Sequence, residues 1–199
     1  MTGYSARYLA GAEKIAARIK PAAIDRIVQL LCDVRNRGGR VFFLGVGGGA
    51  SQASHAVNDL RKIGGIESYS PSDNVAELTA RINDDGWETA YANWLRGSRL
   101  NDKDAVFVFS VGGGSVEKQI SVNLVNCLKL AKEAGTQIAG IVGRDGGYTA
   151  QLGEEVIVIP TISPEMVTAH TEAFQAVIWH GIVSHPNLRM NEMKWEAEQ

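Results

Sequence analysis

Apolar residues recur every three to four positions through residues 4–19 and again through 22–37, where Ile24, Ile27, Leu30, Leu31 and Val34 share one face. This spacing predicts two amphipathic helices. Pro21 sits at the break between them, a residue suited to a first helical turn. The segment GGRVFFLG at 38–45 then gives a short, continuous apolar run ending in glycine, the pattern of a strand buried on both faces in a parallel sheet. Similar runs recur at 104–114, 136–147 and 154–160. Each of the first three ends in a glycine-bearing loop followed by a helix-like or turn segment. Residues 72–97 predict two helices broken at Asn83–Gly86, and a last long helix runs from Pro164 to about His185. This rhythm predicts an α/β fold around a central parallel sheet. No linker, low-complexity tract or exact repeat divides it, so residues 1–199 are expected to form one domain.

Composition narrows the choice. Apolar residues make up 45% of the 199 positions and charged residues 21%, with a formal net charge of −2. That balance is globular, and it gives no reason to expect nucleic acid or an anionic membrane as a partner. Cys32 and Cys127 lie in apolar helix-like stretches, far from paired or metal-binding spacing, as expected of buried thiols in a reducing compartment. The first twenty residues lack the apolar core of a secretion signal, and no apolar run approaches the ~18 residues of a membrane span. A soluble, cytoplasmic protein is expected.

Candidate chemistry gathers at the glycine-bearing loops. Parallel strands end where helix N-termini begin, and such edges bind anions through free amides and the positive end of the helix dipole. Two loops fit: GVGGGAS, which contains Gly48 and Gly49 and ends at Ser51, and SVGGGS, bracketed by Ser110 and Ser115. Neither is a nucleotide motif, since no Gly-Lys-Ser/Thr follows and no acidic residue completes a dinucleotide fingerprint. His55 and Asp59, four residues apart, share a helix face just after the first loop. In the last helix, Glu172 and His180 lie eight residues apart, about 80° around the axis. Two imidazoles and two carboxylates fit a tetrahedral divalent cation or, equally, a metal-free acid–base pair. His170 and His185 are read as ordinary polar positions.

The ordered set GVGGGASQASHAVND, INDDGW, SVGGGS and VGRDGG resembles the sugar isomerase (SIS) domain, and within it the phosphoheptose isomerase family. The resemblance covers nearly the whole chain. It implies a three-layer sandwich with a mostly parallel, flavodoxin-like or Rossmann-like sheet. It implies an aldose–ketose isomerase converting sedoheptulose 7-phosphate to D-glycero-D-manno-heptose 7-phosphate through an enediol. Gly48, Gly49, Ser51, Ser110 and Ser115 would then bind phosphate or substrate, together with Asn83, Asp84 and Glu172. Zinc, or a similar divalent ion, would sit on His55, Asp59, Glu172 and His180, with Asp59 as base and His180 as acid. The resemblance further implies a homotetramer with active sites between subunits, the N-terminal helices of residues 1–38 packing in the oligomer. Asp59 stands where the family has glutamate and Glu172 where it has glutamine; Val111 and Gly112 lack the hydroxyls of the family's second loop. SIS domains also occur as phosphosugar sensors and protein-binding modules. This second reading would show neither metal nor turnover.

Overall fold

The computed structural model describes residues 3–194. Helices α1 (Tyr4–Arg18) and α2 (Pro21–Asn36) fall where the apolar spacing places them. Strand β1 (Val41–Gly45) leads into α3 (Gly48–Lys62), and the two-residue edge strand β2 (Ser68–Tyr69) follows. Then come α4 (Val75–Asp85) and α5 (Trp87–Gly97), parted at Gly86, and β3 (Ala105–Ser110). The chain continues through α6 (Val122–Glu133), β4 (Gln137–Val142), α7 (Gly147–Leu152) and β5 (Glu155–Val158). A 3-10 turn at Pro164–Met166 precedes the last helix, α8 (Val167–Val183).

All five strands pair in parallel, in the order β2-β1-β3-β4-β5, with Val41 opposite Ala105 and Ala105 opposite Gln137. The expected three-layer α/β sandwich is therefore observed. Alternate strand residues feed two cores, because successive side chains point to opposite faces. Phe43, Phe107, Phe109 and Ile141 meet α2, α3 and α8 on one face. On the other, Phe42, Leu44, Val106 and Val108 meet Tyr91, Leu95, Leu124 and Leu128 of α5 and α6. Each fully buried Leu, Ile or Phe contributes about 1.5–3 kcal/mol. The helix after β1 covers the first face and the helices before and after β3 the second. The connections thus diverge between β1 and β3, leaving a crevice at their carboxyl ends.

Two segments depart from the expectation. Strand β2 is too short to carry a periodic signal. After β3 the chain does not turn straight into a helix: Ser115 and Ile120 exchange two backbone hydrogen bonds of 2.9 and 3.1 Å, closing a small hairpin before α6 begins at Val122. The N-terminal helices also differ from one another. Helix α2 belongs to the chain's own core through Ile27, Leu30, Leu31 and Val34, whereas α1 leaves Tyr4 and Leu9 exposed. Helix α1 is pinned by His170, whose ring stacks on Tyr8 at 4.5 Å and donates from Nε2 to the Tyr8 carbonyl at 3.0 Å. Cys32 and Cys127 are buried and unpaired. No helix among the described residues is long and apolar enough to cross a membrane.

Two outcomes test this packing. A β-carbon at Gly11 would stand 2.6 Å from Cε1 of His170, so Gly11→Ala should destabilise the fold by about 1–3 kcal/mol. Denaturant unfolding measures that loss, and faster hydrogen exchange localised to α1 identifies its origin. The buried Tyr91 hydroxyl donates to the Gly45 carbonyl at 3.0 Å, and burial pushes its pKa from 10.0 up to about 12. Above pH 10 the unfolded chain loses a phenol proton that the folded chain keeps, so stability falls as pH rises from 10 towards 12. In Tyr91→Phe that part of the decline should vanish from unfolding curves recorded across the range.

Candidate functional site

A cleft of about 930 Å³ opens at the carboxyl ends of β1, β3 and β4. Val46 and Gly49 line it from the first loop, Ser110 to Ser121 from the second, and Arg144, Asp145 and Tyr148 from the third, with Thr168 and Glu172 from α8. The glycines in these loops prove to be packing devices. A β-carbon at Gly45 would overlap the main chain of Gly49, and one at Gly49 the Phe109 carbonyl, so α3 can start close against the sheet only because both are bare. Gly113 and Gly147, at φ of 70° and 51°, let the second and third loops cross. The crossing is tied by bonds from the Tyr148 and Thr149 amides to the Gly114 and Gly113 carbonyls, at 2.8 and 2.9 Å.

The serines of the second loop hold turns while keeping a donor free. Ser110 Oγ accepts from the Gly113 amide at 3.0 Å and Ser115 Oγ from the Lys118 amide at 3.1 Å. A hydroxyl that accepts in this way still has its own proton to give. The hairpin carries Lys118 over the cleft, and Ser121 and Arg144 line it as well. None of these three was singled out in the sequence. Arg144 lay within a noticed motif, whereas Lys118 and Ser121 follow a hairpin that periodicity does not register.

The first loop is used differently. Ser51 lies a full turn into α3, exposed, with its amide donating to the Gly47 carbonyl at 3.2 Å, and it does not line the cleft. Gly48 makes room for a carboxylate: a β-carbon there would sit 2.5 Å from both oxygens of Glu172. Glu172 thus occupies the N-terminal end of α3, where the helix dipole favours an anion.

Helices α3 and α8 run side by side in the same direction. Gln52 joins them, its Oε1 accepting from Trp179 Nε1 at 2.8 Å and its Nε2 donating to the Glu172 carbonyl at 3.4 Å. Further along this seam, donor atoms of His55, Asp59 and His180 lie within 4.8 Å of one another. His55 Nε2 stands 3.7 Å from Asp59 Oδ2. Trp179 orients both imidazoles, stacking on His180 at 3.5 Å and meeting His55 edge-on at 4.6 Å. His180 Nδ1 donates to the Ala176 carbonyl at 2.7 Å, which leaves the lone pair on Nε2. Tetrahedral zinc spaces its N and O donors about 3.4 Å apart, so this trio of two imidazoles and a carboxylate fits a divalent cation after a small contraction. His55 is 56% exposed and faces outward.

Glu172 stands outside the trio. The eight residues to His180 bring the two side chains to nearby angles, but they also separate them by about 12 Å along the axis. The sequence reading put Glu172 with His55, Asp59 and His180 in one four-residue site; here Glu172 lines the cleft and His180 stands beside His55. Asn83 and Asp84 also lie apart. They end α4 on the other face of the sheet, exposed and bonded to each other at 2.8 Å. His170, buried against α1, and His185, 3.6 Å from Asp25, take no part.

No family model matches the chain. Individual proteins do. It is 30% identical over 184 residues to the lincomycin biosynthesis protein LmbN of Streptomyces lincolnensis, covering 89% of this chain but 66%, just under two thirds, of that protein. It is 26% identical over 165 residues to the phosphoheptose isomerase of Paramagnetospirillum magneticum, covering 79% of each. The solved phosphoheptose isomerase GmhA from Neisseria gonorrhoeae superposes with a TM-score of 0.76 at 20% identity, over 90% of this chain and 93% of that one. The parallel sheet, its switch-point cleft and these relatives agree: the chain has the fold of the solved phosphoheptose isomerases and is similar in sequence to curated members of that family.

Proposed function

We propose that the protein interconverts the ketose and aldose forms of a phosphorylated sugar, turning sedoheptulose 7-phosphate into D-glycero-D-manno-heptose 7-phosphate through an enediol. The observation that carries this reading is the succession of two unlike subsites along α8: a cleft lined by hydroxyls and cations, and, farther along the α3–α8 seam and outside that cleft's lining, a trio of possible metal ligands. At one end, the turn from Ser110 to Ser121 offers hydroxyls and the cations Lys118 and Arg144. At the other, the α3–α8 seam holds Glu172 and then the trio His55, Asp59 and His180. A phosphate at the first end leaves the sugar chain directed towards the second. The names of the curated relatives agree with a seven-carbon substrate.

Ser110, Ser115 and Ser121 donate to phosphate oxygens, and Lys118 and Arg144 supply charge-assisted bonds. Val46 and Gly49 line the cleft beside them. His55, Asp59 and His180 would hold zinc or a similar divalent ion. Bound there, such an ion supplies Lewis-acid stabilisation to a sugar oxygen that gains negative charge. The Nε2 of His180 and the Asp59 carboxylate cannot both ligate an ion and freely carry protons; Trp179 and the Ala176 carbonyl orient His180 so that Nε2 is left to ligate. A homotetramer in the cytoplasm belongs to the same reading, and the outward-facing trio leaves room for a neighbouring subunit to complete the site.

Purified protein should turn over sedoheptulose 7-phosphate and hold about one zinc per chain. His55→Ala and His180→Ala should each lower zinc affinity and turnover by ~100-fold or more, as read by metal analysis and product assay of the same samples. Protein with neither zinc nor turnover, yet melting higher when phosphosugar is added, would instead be a sensor. Lys118→Ala and Arg144→Ala should each raise KM roughly tenfold, the loss of one hydrogen bond to a charged group. Initial rates across a substrate series give that number.

A further inference from the structure

We infer that Trp179, tethered by Gln52, is a positioning residue: it holds the imidazoles of His55 and His180 where a divalent cation needs them before the cation binds. The inference rests on the metal-binding part of the reading above. The residues that carry it lie one layer behind the trio, between the ligands and the core.

Trp179 is anchored from behind. It is 3% exposed and belongs to the same buried cluster as Phe43, Phe107 and Ile178. A buried indole needs an acceptor for its N–H, and Gln52 Oε1 provides one at 2.8 Å. Gln52 is held in turn by its second bond, from Nε2 to the Glu172 carbonyl. It also stands three residues before His55 on α3, so tether and ligand share one helix face. Packed on one side and hydrogen-bonded on another, the indole has little freedom to turn.

Both imidazoles meet that fixed plane. Neighbours at i, i+1 point about 100° apart on a helix, so His180 would ordinarily diverge from Trp179. Instead its ring folds back onto the indole, with centroids 3.5 Å apart and planes at 27°, while Nδ1 donates to the Ala176 carbonyl. Two contacts thus define the ring, and Nε2 is the nitrogen left over. His55 is more exposed, and an exposed side chain loses rotamer freedom when it ligates. Its edge-on contact with the indole at 4.6 Å removes part of that freedom in advance. The two imidazole centroids stand 5.3 Å apart. Preorganisation of this kind raises affinity without adding a ligand. The indole face adds a second effect, because an imidazole bound to a cation is electron-poor and an aromatic face attracts it.

A double-mutant cycle on the full chain tests this. Zinc affinity is measured by chelator competition for the unaltered protein, Gln52→Leu, Trp179→Phe and the double variant. Cobalt(II) absorption spectra and melting temperatures of the metal-free proteins are recorded on the same preparations. Gln52→Leu should weaken zinc binding by about 10–100-fold and alter the cobalt spectrum. Adding Gln52→Leu to Trp179→Phe should cost little more, since phenylalanine has no N–H for Gln52 to hold. Zinc affinity within about threefold of the unaltered protein in both single variants would overturn the inference. A lower melting temperature alone would then mark the pair as packing. Losses that simply add would also overturn it, because the two residues would not act through their bond. An unaltered protein that takes up neither zinc nor cobalt would sink the metal reading and this inference together. Affinity is read without substrate, so a zinc-binding protein that fails to isomerise would sink the isomerase reading while the cycle still decides this one.

Discussion

One side-chain amide sets the geometry on which the site depends. Gln52 accepts from the Trp179 indole and donates to the Glu172 carbonyl, fixing the register of α3 against α8. A slip of one turn, ~5.4 Å, would part His55 from His180 and lift Glu172 off Gly48. The amide is half-buried and bonded to α8 at two points, about two turns apart. The sheet beneath supplies rigidity, but only this seam converts it into the placement of individual side chains.

Much of this was legible in the chain itself. Continuous apolar runs ending in glycine gave the parallel strands, and three-to-four spacing gave α2 and the broken pair α4 and α5. His55 and Asp59 could be paired because i, i+4 neighbours meet on any helix. The reading that brought His55 and His180 to one site rested on helix spacing and on the family resemblance, and their donor atoms lie together with that of Asp59. Glu172 shares a side of α8 with His180 but sits two turns away, and its carboxylate is not among the donor atoms gathered at His55, Asp59 and His180. Asn83 and Asp84 were out of reach for another reason, since nothing local reveals which face of the sheet a helix will cover.

The glycines carry a related lesson. A run such as GVGGG reads naturally as an open cradle for an anion. In the folded chain Gly45 and Gly49 are consumed by main-chain crossings, and the anion at the start of α3 is the protein's own Glu172. Helix termini attract negative charge without specifying whether it arrives on a ligand or on a neighbouring helix. The second loop shows the converse: its glycines also pack, while the polar contacts come from hydroxyls and from a hairpin that no periodicity announces.

That separation has a bearing on how such a cleft can change. Residues that hold the loops together, Gly113 and Gly147 above all, meet other backbone atoms and tolerate no side chain. Those that face the cavity, such as Val111, Lys118 and Ser121, support little of the framework. Selectivity and scaffold are thus written in different positions of the same short loop, so a lineage can drift from one phosphorylated sugar to another without first loosening the fold.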